Sequence, residues 1–209
     1  MTTTKQIERL WDERAYPRLA RLILESRCDI DPGLVGRIAR STVAAAALAV
    51  IRLDELAQNA RPIAQRLVRA LIAMQQPDGG WGDVAVSVLA IRALRCACGD
   101  GAVIARGVRW LAELQKDEGA WPAEPIRRLS ADPATTAFVL QHLAADPLLA
   151  AEARLVDAVD WLETHHDQAD SLTHAHVARA LVRARNAMAL RARAQARTES
   201  LFDRDACWC

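Results

Sequence analysis

The chain has 209 residues, of which 52% are hydrophobic, which is enough for one sizeable core. Its formal net charge of +1 excludes a general electrostatic attraction to nucleic acid or to acidic membranes. The sequence begins without the apolar stretch of a secretion signal and has five cysteines, so we expect reduced thiols and a cytoplasmic protein. No apolar run is long enough to predict a transmembrane helix.

Helical periodicity dominates the sequence, and alternating runs typical of strands are short. The pattern predicts an all-α protein of about four α/α hairpins. The predicted hairpins pair residues 5–26 with 35–56, 62–76 with 84–98, 102–116 with 133–144, and 148–166 with 171–197. Pro17 lies inside the first helical pattern and is expected to kink that helix or split it in two.

Two predicted loops carry the same pattern, in which a glutamine is followed four positions later by glycine and six positions later by tryptophan. Its residues are Gln75, Gly79, Gly80 and Trp81 in the first loop, and Gln115, Gly119 and Trp121 in the second. Glycine permits a turn with positive φ, a glutamine amide can donate to carbonyls near a helix end, and an indole can cover the junction. These residues therefore favour a structural role, in hairpins that stack on one another.

The two motifs resemble the QW repeats of the squalene–hopene and oxidosqualene cyclase family, and the related repeats of protein prenyltransferase β subunits. The resemblance is clearest over residues 62–144. It implies a small or partial α/α toroid, in which the motifs tie adjacent hairpins on the outside. We expect one repeat domain over residues 1–200, followed by a tail at 201–209.

The family's proton-donating motif, DxDDTA at the start of an inner helix, is matched only in part. The nearest string, DPATTA, begins at Asp132 and lacks both central acids. The diphosphate-binding motif DDxxD is absent. We therefore expect Asp83 and Asp132 to be helix N-caps, or to face the inside of the toroid together with Thr135 and Thr136.

A zinc site of the prenyltransferase kind is a weaker alternative. Asp205 and Cys207 match the family's Asp-x-Cys ligand pair, and Cys209 could add a thiolate. The family's ligand histidine follows this pair, however, and none follows here. We predict no cofactor, with zinc as the less favoured possibility.

The last predicted helix is the most basic segment of the chain. Arg179, Arg183, Arg193 and Arg197 could form a stripe that contacts phosphate or an acidic partner. No motif for reading bases accompanies them. The pattern favours a solvated or partner-docking face over a nucleic-acid interface.

These observations favour a cyclase-like repeat protein without catalytic acids, which binds an apolar molecule, a protein partner or a second copy on its inner face. One alternative is a small terpene cyclase or prenyltransferase that acts on a polyprenyl diphosphate through Asp54, Glu55 or Asp83. Another is a regulatory factor that contacts nucleic acid or an acidic partner through the arginine-rich last helix.

Overall fold

The computed structural model describes residues 3–27, 30–126, 128–165 and 171–205. This part of the chain is built from helices and contains no named strand, which confirms the all-α class. The first helices are α1 (Thr4–Asp12), α2 (Tyr16–Leu24), α3 (Pro32–Ile38), α4 (Thr42–Glu55), α5 (Pro62–Ala73) and α6 (Val84–Cys96). They are followed by α7 (Gly101–Leu114), α8 (Pro133–Leu143), α9 (Pro147–Glu152), α10 (Leu155–His165) and α11 (Ser171–Asp205).

The helices begin where short polar side chains can hold free backbone amides. Asp83 accepts from the amide of Val86 at the start of α6, at 3.1 Å. Asp132 accepts from the amide of Thr135 at the start of α8, at 2.7 Å. Both are therefore N-caps, which satisfy amides that lack a partner within the helix.

Three helices, α4, α6 and α8, form the core of the protein, and we call them the central helices. Residues 44–51, 84–91 and 135–141 of these helices are buried without interruption. A helix covered on every face has neighbours all around it. Accordingly, α6 packs against α4 and α8, while α2 and α5 cover α4, and α10 and α11 cover α8.

The helices α5, α7 and α10 bury only one face, and we call them the peripheral helices. In α5 the buried residues are Ile63, Ala64, Leu67 and Leu71, at the spacing of one helical stripe. Residues between them are exposed or half-buried. This pattern explains why the hydrophobic periodicity of α5 is visible in the sequence.

Three predicted helices are each broken in two. The helix predicted at 35–56 stops after Ile38 and restarts at Thr42, because the Ser41 hydroxyl accepts from the amide of Ala44 and caps a new helix. The helix predicted at 148–166 is broken between Glu152 and Leu155. The break in the first predicted helix, between α1 and α2, was expected from Pro17.

Helix α3 lies against the central helices and not beside the first hairpin alone. It packs against α6, α8 and α11. The central helices consequently do not expose the apolar face that an open arc of hairpins would leave, and Thr135 and Thr136 are 0% exposed.

Helix α11 is the longest helix of the described chain. It buries Val177, Ala180, Ala184 and Ala187 against the core, and its residues 192–197 are exposed. The helix continues to Asp205, into the segment expected to be a tail. No single helix of the described residues is long and apolar enough to cross a membrane. Helices α3 and α4 reach the required length and apolar character only when they are taken together, and they are bent by 112° relative to each other.

Candidate functional site

The first motif loop joins α5 to α6 and contacts the first turns of α7. The side-chain nitrogen of Gln75 donates to the carbonyl oxygens of Gly79 at 2.8 Å and Val103 at 2.9 Å. The side-chain oxygen of Gln75 accepts from the Arg106 guanidinium at 2.7 Å. One glutamine thus joins its own loop to the next peripheral helix.

The second motif loop makes corresponding contacts with the start of α10. The side-chain nitrogen of Gln115 donates to the carbonyl oxygens of Gly119 at 2.5 Å and Arg154 at 3.0 Å, and its side-chain oxygen accepts from the Arg154 amide at 2.9 Å. The Arg154 guanidinium donates to the carbonyl oxygens of Lys116 at 2.5 Å and Asp117 at 2.9 Å. These bonds use the backbone at the break between α9 and α10, which explains why the predicted helix is interrupted there.

The two motif tryptophans close the ends of the peripheral helices that precede them. The indole nitrogen of Trp81 donates to the carbonyl oxygen of Leu71, and that of Trp121 donates to the carbonyl oxygen of Leu111, both at 2.8 Å. The indole nitrogens donate to carbonyl oxygens near the helix ends. The sequence suggested this role for the glutamines. Trp81 is 4% exposed and Trp121 is 0% exposed.

A hydroxyl at the start of α6 and another at the start of α8 complete the contacts with the two motif loops. The backbone amide of Trp81 donates to the Ser87 hydroxyl at 2.9 Å, and that of Trp121 donates to the Thr136 hydroxyl at 3.0 Å. Sequence reasoning missed Ser87. The signal was present, since a hydroxyl residue follows each N-cap aspartate, Asp83 or Asp132, at the fourth position.

Two motif glycines have the conformation and the space that only glycine permits. Gly79 has a φ of +99° and Gly119 a φ of +89°. A Cβ at Gly79 would lie 2.8 Å from the carbonyl oxygen of Arg106 in α7, and a Cβ at Gly119 would lie 2.5 Å from the Cβ of Asp157 in α10. The loops therefore pack directly on the next peripheral helix.

The loops differ at the position before the tryptophan. A Cβ at Gly80 would lie 2.4 Å from the ring of Trp110, whereas the second loop has Ala120 there. Asp78 accepts from the amide of Gly80 at 3.0 Å and from the Trp110 indole at 3.1 Å. Asp78 thus holds the turn and also bonds to α7.

Arg37 of α3 joins the N-terminal ends of two central helices. Its guanidinium lies 3.5 Å from the carboxylate of Asp83 and 3.5 Å from the hydroxyl of Thr135, and it donates to the carbonyl oxygen of Ala123. We call Arg37, Asp83, Thr135 and the Ala123 carbonyl the N-terminal cluster. No pattern in the sequence indicated the role of Arg37, because its partners are distant along the chain.

The other acids considered for catalysis lie at the C-terminal end of α4. The carboxylate of Asp54 accepts from the side-chain amide of Asn59 at 2.5 Å. Glu55 pairs with Arg27 at 2.8 Å and with Arg52 at 3.0 Å. Asp54 and Glu55 belong to the last turn of α4, whereas Asp83 precedes the first turn of α6, so the three acids do not form one cluster.

The structure gives no support for a metal site in the described residues. They contain no group of three or more histidine, cysteine or acidic residues that could hold a metal ion. Cys207 and Cys209 lie outside the described residues, and Asp205 is described only as the last residue of α11.

The predicted basic stripe on α11 is partly used by the protein itself. Arg179 contacts a ring nitrogen of His176 at 3.3 Å, and Arg183 donates to the carbonyl oxygen of Gln141 in the last turn of α8 at 3.4 Å. Arg193 and Arg197 lie in the exposed part of α11. The four arginines therefore do not form one uniformly available surface.

The described chain thus contains two sets of motif contacts and one arginine-centred cluster at the starts of α6 and α8. Comparison with models of protein families, with curated proteins and with solved structures gives no match for this chain.

Proposed function

We propose that this chain is a non-catalytic α/α repeat protein of the QW type, which binds a molecule with an apolar body and does not transform it. The observation that carries this proposal is the N-terminal cluster. In the family that the motifs resemble, the acids stand at the start of an inner helix. Here Arg37 occupies that region.

The chemistry of an alkene-protonating acid differs from what the N-terminal cluster offers. Such an acid has to stay neutral in an apolar cavity until it delivers its proton. Asp83 contacts a guanidinium and holds a helix amide, and Asp132 holds another helix amide. Both carboxyl groups are therefore held in polar contacts at helix starts, unlike the apolar surroundings that such an acid requires.

The repeat and its partial toroid remain part of the proposal. The corresponding bonds of Gln75 and Gln115, and of Trp81 and Trp121, support a unit that recurs along the chain. Each unit connects one peripheral helix to the next, as expected of hairpins that stack side by side. The packing of α3 against α6, α8 and α11 argues that binding occurs outside the central helices.

The test combines a turnover assay with mass spectrometry of the intact protein. The purified chain is incubated with squalene and with polyprenyl diphosphates of several lengths, beside the variants Asp83→Asn and Asp54→Asn. We expect no product from any of them, and a retained small molecule in the native mass spectrum of freshly purified protein. Product formation by the unmodified chain that is lost in either variant would overturn the proposal.

The regulatory alternative makes a different prediction for the same protein. Contact with duplex DNA through the arginines of α11 would give binding that weakens steeply as salt is raised. We expect no such binding, because Arg179 and Arg183 already contact the core of the protein.

A further inference from the structure

A groove lies between α2 and the segment from Val35 to Arg40, which includes most of α3. Its volume is about 510 Å³, within the range of roughly 300–1,000 Å³ that is typical of small-molecule sites. The residues that line it are Arg21, Leu24, Glu25, Val35, Gly36, Ala39 and Arg40. No motif of the sequence pointed to this groove.

The floor of the groove is apolar. Leu24 and Ala39 are 7% and 4% exposed, so they present only a small part of their surface to solvent, and Val35 is half-buried. Gly36 has no side chain, and a Cβ built there would meet no atom within 4 Å. The space above Gly36 is therefore open to the apolar part of a ligand.

The rim of the groove is cationic. Within the described residues, Arg21 and Arg40 make neither an ion pair nor a side-chain hydrogen bond. A second cavity of about 540 Å³ adjoins the first along α2, shares Arg21 and Glu25 with it, and adds Arg18. The two cavities are thus bordered by three arginines and one glutamate, which leaves an excess of positive charge facing the ligand.

We propose that this groove binds a single-chain amphiphile whose head group is a carboxylate or a phosphate. The head group bonds to the guanidinium groups of Arg21 and Arg40, since guanidinium pairs with both anions through charge-assisted hydrogen bonds. The apolar chain covers Leu24, Val35 and Ala39. The inference rests on the proposed binding function and gives it a site and a ligand class.

The charge complementarity separates this ligand from the others considered. A neutral hydrocarbon would make no charge-assisted bond to either arginine, and a cationic amphiphile would be repelled by them. An acidic peptide would satisfy the arginines but is a different class of partner, and the test distinguishes it.

The test is titration calorimetry of the full chain with dodecanoate, dodecyl phosphate, dodecanol and dodecyltrimethylammonium, all below their micellar concentrations. We expect one site per chain for at least one of the two anions, whose relative affinities identify the head group. Dodecanol should bind at least about tenfold more weakly, the loss expected for one charge-assisted bond. Equal binding of dodecanol, or binding of an acidic peptide by a chain that binds neither anion, would overturn the proposal.

Two kinds of variant locate the site. Gly36→Leu places a large side chain in the groove and should abolish ligand binding. Because a Cβ at this position meets no atom within 4 Å, the thermal unfolding midpoint should be kept or raised. Gly36→Ala is the smaller control and should retain most of the affinity. Unchanged binding in Gly36→Leu would contradict the assignment.

Charge variants test the head group. We expect about tenfold weaker binding of the anion in each of the variants Arg21→Gln and Arg40→Gln, and unchanged binding of dodecanol. Arg69→Gln, an exposed arginine of α5, is the matched control and should change neither. If a molecule is retained in the native spectrum but Gly36→Leu and both arginine variants retain it equally, the groove is the wrong site while the binding function stands.

Discussion

The indole nitrogen of Trp121 lies 2.8 Å from the carbonyl oxygen of Leu111, in the last turns of the helix that precedes the motif loop. Both groups are in buried surroundings, and Trp121 is 0% exposed. A buried carbonyl that loses its donor has no water to replace it. The bond therefore links the identity of the motif residue to the stability of α7.

Trp121→Phe is expected to destabilise the protein by about 1–3 kcal/mol, because it keeps most of the apolar packing but leaves the Leu111 carbonyl without a donor. The midpoint of urea unfolding measures this change. Trp11→Phe is the matched control, since Trp11 is half-buried and packs on Tyr16. Equal midpoints for the Trp121 variant and the unmodified protein would contradict the role of this bond.

Gln75→Ala is expected to cost about 1–3 kcal/mol, because it removes the donor to Gly79 and Val103 and the acceptor for Arg106. Its neighbour Gln76 is exposed, so Gln76→Ala changes the same residue type beside it and should have an effect below about 0.5 kcal/mol. Hydrogen exchange adds a local measurement. Backbone amides in the first turns of α7 should exchange faster in Gln75→Ala but not in Gln76→Ala. Equal exchange in the two variants would show that Gln75 does not hold the loop to α7.

Gly79→Ala should destabilise the protein by about 2–4 kcal/mol. Alanine would have to adopt a positive φ, and its Cβ would clash with the backbone of Arg106, which has little freedom to move. Gly101→Ala is the matched control. A Cβ at Gly101 meets nothing within 4 Å, so this change should be neutral or stabilise by about 0.4–1 kcal/mol. A thermal midpoint in the Gly79 variant as high as in the Gly101 variant would refute the close packing of the loop on α7.

Cys96 is expected to react more slowly with N-ethylmaleimide than Cys98, two positions away. Burial raises the pKa of the Cys96 thiol, and the carboxylate of Asp54 raises it further. A raised pKa means less thiolate at a given pH, so the reaction of Cys96 should lag at neutral pH and accelerate as pH rises. Asp54→Asn should speed it, and peptide mapping by mass spectrometry at several pH values separates the two cysteines. Equal rates at neutral pH would argue against the effect.

The sequence predicted which residues form the motif loops but not what those residues contact. Gln75 and Gln115 stand out because their spacing to glycine and tryptophan is identical. Their partners Val103, in α7, and Arg154, just before α10, contribute backbone atoms, which leave no trace in residue type. Only the folded chain brings those carbonyls within reach.

The break between α3 and α4 shows a second limit of periodicity. Apolar residues continue across residues 35–56, so the hydrophobic pattern alone predicts one helix there. Ser41 was the visible sign of a new start, but it is an ordinary residue in isolation. The break has a large structural effect, because it lets the short α3 pack against α6 and α8. There Arg37 forms an ion pair with Asp83.

The segment 122–131, which separates Trp121 from the N-cap Asp132, has only Gly82 as its counterpart in the first loop. Its ends are drawn together, since the amide of Asp132 donates to the carbonyl oxygen of Trp121 at 2.8 Å and Pro122 bridges Ala131. The added residues therefore leave the motif and the central helix in place. The carbonyl of Ala123 is held by Arg37, so it is the chain length beyond Ala123 that is uncoupled from the scaffold. A new binding loop could be lengthened there while the helices stay where they are.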